Sequence, residues 1–66
     1  MKVQLNGSSQ GLADDATVAD AVATLTTASR GIAVAVNGEV VPRSAWNTTR
    51  LRDGDRVEVL TATQGG

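Results

Sequence analysis

The sequence predicts a two-layer α+β domain, one helix packed on a sheet of four or five strands. Three observations lead there. Three separate stretches alternate with period two, polar with apolar residues from Lys2 and from Arg56 and large with small ones from Ile32. Only one stretch, Val18 to Leu25, carries the 3.6-residue period of an amphipathic helix. Glycine-containing turn signals at Asn6-Gly7, Asn37-Gly38 and Asp53-Gly54 divide the periodic stretches from one another.

Residues 2–6 form the first expected strand, with Val3 and Leu5 on one face. Asn6-Gly7-Ser8 reads as a turn, and a short strand over residues 9–12 returns antiparallel. Thr17 is a good helix N-cap, and Asp20 three residues on completes a weaker capping box near the positive helix end. Val18, Ala21, Val22 and Leu25 share the expected buried face, while Asp20, Thr24 and Thr27 lie opposite. The β-branched threonines lower helix propensity, so packing must hold this helix. Gly31, after Ser29-Arg30, is the expected C′ stop.

Ile32–Val36 is the clearest strand: Ile32, Val34 and Val36 face one way, Ala33 and Ala35 the other. Asn37-Gly38 is a strong hairpin signal, since a type I′ turn needs positive φ at both central residues. Glu39–Val41 is the return strand, ended by Pro42. Residues 43–47 read as a short turn or 3₁₀ segment that brings Trp46 into the core, residues 48–51 as a brief edge strand or a loop, and residues 52–55 as a turn. In the last strand, Arg56–Thr61, Val57 and Val59 point inward and Arg56, Glu58 and Leu60 outward. The helix face is expected on the inward set Val3, Leu5, Ile32, Val34, Val36, Val57 and Val59.

Composition excludes several functions. The 66 residues make one small domain with little room for a deep pocket. There is no Cys and no His, which removes thiolate chemistry, the usual zinc ligands and the side chain best suited to proton transfer near neutral pH. Asp14, Asp15 and Asp20 read as a solvated helix start, since no other ligands stand near them in sequence. The net charge of −1 is evenly spread and there is a single aromatic residue, so nucleic acid is not an expected partner. No apolar run is long enough to span a membrane, and no signal peptide is evident. The expected compartment is the cytoplasm.

The last six residues, Thr61-Ala62-Thr63-Gln64-Gly65-Gly66, carry no charged side chain and end in two glycines. Such a backbone is slim enough for a narrow cleft and finishes in a carboxylate. It reads as a reactive end delivered to a partner enzyme, with a frayed terminus as the alternative. Residues 1–62 are expected to form the folded domain and residues 63–66 a flexible tail. Five residues, Ala62 through Gly66, reach roughly 17 Å when extended.

Several stretches together resemble a known family. They are Leu5-Asn6-Gly7; Ala33-Val34-Ala35-Val36-Asn37-Gly38-Glu39-Val40-Val41-Pro42-Arg43-Ser44; Trp46; Leu51; and Asp53-Gly54-Asp55-Arg56-Val57-Glu58-Val59-Leu60 running on to Gly65-Gly66. The chain resembles the ThiS family of bacterial sulfur carriers of thiamine biosynthesis. That resemblance implies an α+β ubiquitin-like β-grasp with a mixed four- to five-stranded sheet on one helix.

It also implies a protein co-substrate rather than an enzyme. A ThiF- or MoeB-like adenylyltransferase would use ATP and Mg²⁺ to adenylate the Gly66 carboxylate, and this chain itself would bind no cofactor. Sulfur from a persulfide donor would displace AMP to leave a thiocarboxylate, which thiazole synthase (ThiG) would consume. Gln64 and Gly65 would form the tail that delivers Gly66. Ala33, Ala35 and Leu60, outward on the sheet, are the expected docking residues. Two alternatives stay open: a MoaD-like small subunit of molybdopterin synthase or another sulfur carrier, and a β-grasp interaction module whose tail is never activated.

Overall fold

A computed structural model describes residues 1–27 and 30–61. Strand β1 (Lys2–Leu5) pairs antiparallel with β2 (Ser8–Gly11), helix α1 (Val18–Leu25) follows, and β3 (Ile32–Val36) pairs antiparallel with β4 (Glu39–Val41). A 3₁₀ turn, Arg43–Ala45, leads by a loop to β5 (Arg56–Thr61). The sheet order is β2-β1-β5-β3-β4, so the last strand in sequence is the middle strand in space. It runs parallel to β1 and antiparallel to β3, which makes the sheet mixed. One helix on a five-stranded mixed sheet is the expected ubiquitin-like β-grasp.

Both hairpins turn on Asn-Gly. Asn6 and Gly7 have φ of 51° and 84°, and Asn37 and Gly38 have 52° and 84°. Asparagine tolerates the left-handed region and glycine enters it without penalty, so each dipeptide reverses the chain in two residues.

The core lies between the helix and one face of the sheet. Val3, Leu5, Val34, Val57 and Val59 from the strands meet Val18, Ala21 and Val22 from α1, with Trp46 and Leu51 closing one side. Ile32 and Val36 are partly buried against this cluster, as their phase on β3 requires. The expected edge strand at residues 48–51 is a loop with one isolated bridge, Thr17 to Arg50, and it buries Leu51 to 3% exposure. That residue and Ala16 were not among the expected inward set; both are placed by contacts between the loop and the helix start.

Those contacts resolve the first turn of α1. The Val18 N–H donates to the Thr49 carbonyl at 2.9 Å and the Ala19 N–H to the Trp46 carbonyl at 3.1 Å. The Asp20 N–H donates to Thr17 Oγ1 at 3.4 Å, and Asp20 Oδ2 accepts from the Thr17 N–H at 2.9 Å, completing the capping box. Donors that a helix start leaves without internal partners are thus met by the loop and the cap. Trp46 holds the loop in turn. Its Nε1 donates to the Val41 carbonyl at 3.0 Å, and the Arg43 guanidinium lies 5.2 Å from its ring centroid.

The helix end departs from expectation. It stops at Leu25, where Thr26 becomes extended at φ −157° and its N–H still bonds the Val22 carbonyl. Gly31 has φ 73° but stands at the entry to β3, not at the helix stop. Two β-branched residues, Thr26 and Thr27, end the helix before the glycine is reached. Leu25 then sits on the last helical residue and is 46% exposed, outside the core.

Chemical denaturation checks this assignment of the core. Trp46→Ala should cost about 3–5 kcal/mol and Leu51→Ala about 2–5 kcal/mol, as buried large-to-small changes do. Leu25→Ala should cost under about 1 kcal/mol, because its side chain is already largely in water.

Candidate functional site

The sheet has one face on the helix and one face open. Cross-strand pairing puts Ala33 opposite Leu60, and Ala35 between Glu58 on β5 and Val40 on β4. All five side chains stand on the open face, because each strand's inward residues are already fixed by the core. Leu60 is 70% exposed and Val40 75%, while Ala33 is exposed and Ala35 half-buried. Together with Asn6 and Glu58 they line a shallow apolar groove. The expected docking residues Ala33, Ala35 and Leu60 are therefore brought together.

Two groove residues were missed. Val40 lies on a three-residue strand, too short for its phase to be read alone, but its place opposite Ala35 follows once the Asn37-Gly38 hairpin is closed. Asn6 was read only as a turn residue. No sequence period marks it, since it lies on the groove rim by virtue of where β5 inserts.

Strand β5, which leads toward Gly66, is held on both flanks. Toward β3 the ladder is complete, from Val36 opposite Val57 to Ile32 opposite Thr61. Toward β1 it is short, covering only Gln4 with Arg56 and Leu5 with Val57. The Asn6 side chain continues the hold: Oδ1 accepts from the Val59 N–H at 2.8 Å and Nδ2 donates to the Val59 carbonyl at 3.2 Å. At the other end of β5, Asn37 does a related job. Its N–H donates to the Arg56 carbonyl at 2.7 Å and its Oδ1 accepts from the Arg56 N–H at 2.9 Å.

Gln64, Gly65 and Gly66 lie outside the described residues, as does the expected domain boundary after residue 62. Among the described residues, no group of three or more acidic side chains could hold a metal ion. Among the same described residues, no helix is long and apolar enough to cross a membrane. What the geometry offers is an exposed apolar sheet face beside the strand that leads into the C-terminal glycines.

Comparison with known proteins bears on what such a face serves. The model of the ThiS family matches residues 3–66. The chain belongs to the ThiS family. A crystal structure of the thiamine biosynthesis protein ThiS from Geobacter metallireducens is 33% identical, with TM-score 0.79 and full coverage of both chains. The solution NMR structure of a thiamine biosynthesis protein from the same organism has TM-score 0.80 at 33% identity, covering 100% of this chain and 88% of that one. A protein named thiazole synthase from Paramagnetospirillum magneticum is 33% identical over all 66 residues. The chain spans only 20% of the length of that relative. ThiS-family chains are small sulfur carriers.

In this ThiS-family chain the open face should be dispensable for folding. Replacing Val40 and Leu60 together by Ser should shift stability by no more than about 1 kcal/mol, since only cross-strand pair contacts on the wet face are lost. A larger loss in a denaturant titration would show that the face supports the fold.

Proposed function

We propose that this chain carries sulfur on its C-terminal carboxyl group for formation of the thiazole ring of thiamine. The single observation that carries the reading is the family match extending to Gly66, so that it includes the Gly-Gly end. The chemistry of the chain supports it. A carboxylate is a poor acyl donor and must be activated before sulfur can enter, and the sequence has no Gly-rich phosphate loop with which to do this itself. Activation therefore falls to a partner adenylyltransferase of the ThiF or MoeB type. There the Gly66 carboxylate attacks the α-phosphorus of ATP, with Mg²⁺ bound by the enzyme, and pyrophosphate leaves.

A persulfide then attacks the acyl-adenylate and AMP leaves. Cleavage of the resulting S–S bond by a thiol frees the thiocarboxylate. The carrier has no thiol or imidazole of its own to intercept the activated acyl group. Gln64 and Gly65 form the slim approach to Gly66, while Ala33, Ala35, Val40 and Leu60 dock the folded body on successive partners. The thiazole synthase relative, which contains a stretch similar to this whole chain, supports thiazole synthase as the acceptor. The reading takes the cytoplasm, where ATP is available to the adenylyltransferase, as the compartment.

Incubation with the adenylyltransferase, ATP, Mg²⁺ and a sulfur donor should raise the mass by about 16 Da as sulfur replaces oxygen. Oxidation of Met1 adds about the same mass, so the gain must be located on a C-terminal fragment. Deleting Gly66 should abolish it with the fold intact. A C-terminal gain that persists after the deletion would contradict the proposal. Leu60→Asp should slow charging while leaving the fold unchanged, because it sets a charge in the docking face.

A further inference from the structure

We infer that Asn6 is a positioning residue for charging at Gly66: its side-chain amide fixes the course of β5 as far as Thr61. The inference rests on the sulfur-carrier reading and extends it to a residue outside the tail.

The register shows what Asn6 replaces. Along the parallel β1–β5 ladder, the Gln4 N–H donates to the Asp55 carbonyl and the Asn6 N–H to the Val57 carbonyl, each at 2.9 Å. The next rung of a regular parallel ladder would run from the Val59 N–H to the Asn6 backbone carbonyl. At φ 51° the backbone of Asn6 has left the strand for the hairpin turn. The side chain closes the rung instead, accepting from the Val59 N–H and donating to the Val59 carbonyl.

Beyond this point the two flanks of β5 differ. Leu60 and Thr61 remain paired to Ala33 and Ile32 on the β3 side. Among the described residues, Asn6 is the last group that bonds β5 on the β1 side. A strand held on one flank alone is free to swing about that ladder. Two bonds from a rigid turn restrict the swing two residues before Thr61. An end that must enter another protein's active site gains from being aimed beforehand, since reaction falls steeply with misplacement of the reacting group.

The fold supplies its own control. Asn37 is the same residue in the same kind of turn at the other end of β5, and its Oδ1 likewise takes a β5 N–H, that of Arg56. Asn6→Gly and Asn37→Gly each remove an amide while leaving a residue at ease with positive φ. Both should lower stability. Only Asn6→Gly should lower the kcat for charging with sulfur, by about tenfold, the order set by one or two net hydrogen bonds. Its KM should hold within about twofold, because the apolar docking residues are unchanged. Asn37→Gly should leave both constants near those of the wild type.

Asn6→Asp provides a second variant in case the glycine form folds poorly. It keeps the oxygen that accepts from Val59 and loses the donor, so its kcat should fall between wild type and Asn6→Gly. Amide hydrogen exchange at Val59 should accelerate in Asn6→Gly and not in Asn37→Gly. An Asn6→Gly carrier charged at the wild-type kcat would overturn the positioning role. So would an equal fall in kcat for Asn37→Gly, which would tie the loss to stability alone. Failure of the wild type to accept sulfur would overturn the carrier reading and this role with it.

Discussion

The fold depends on the insertion of its last strand between its first and third. Until β5 is in place, the β1–β2 hairpin and the β3–β4 hairpin are separate two-stranded ribbons, each too small to be stable alone in water. β5 joins them. Val57 and Val59 supply the centre of the apolar layer on which α1 rests, and the backbone of the strand supplies bonds to both hairpins. The same insertion puts Thr61, the last described residue, on the middle strand of the sheet and not on an edge. The stability of both hairpins and the central place of β5 are thus consequences of one topological choice.

A second constraint works at the helix. Eight residues make an isolated helix marginal, and the β-branched Thr24, Thr26 and Thr27 do not help. The segment from Trp46 to Leu51 compensates by bonding the first N–H groups of α1 and by burying Leu51 beneath them. One layer of the domain is therefore closed by a loop, and the helix is free to occupy only one side of the sheet. The opposite side stays open, with Val40 and Leu60 in water. The proposed docking on partner enzymes would use a face of that kind, apolar without being needed for the core.

Much of this was legible in the sequence where the signal was local. The alternation in Ile32–Val36 gave the phase that set Ala33 and Ala35 outward, and Arg56–Thr61 did the same for Leu60. Thr17 with Asp20 marked the helix start because a capping box spans only four residues. What was not legible depended on long-range contact. Leu25 obeyed the helical period yet lies outside the core, since the helix ends under it. Leu51 sits in a stretch without periodicity and is buried by a helix start more than thirty residues earlier in the chain. Asn6 and Asn37 looked like two copies of one turn signal. Their different neighbours arise from the position of β5, which no local pattern specifies. Gly66 was singled out by its place in the sequence and by the resemblance to the ThiS family.

As a sulfur carrier, this ThiS-family chain should present its C-terminus in cells as a sulfur-bearing group. The most direct measurement is top-down mass spectrometry of the protein isolated from cells deprived of thiamine, with fragmentation to locate any added mass. The expected result is a population in which one oxygen of the Gly66 carboxyl is replaced by sulfur and every other fragment is unchanged. A protein whose C-terminal fragment holds only a carboxylate under strong demand for thiamine, or whose added sulfur lies elsewhere in the chain, would contradict it.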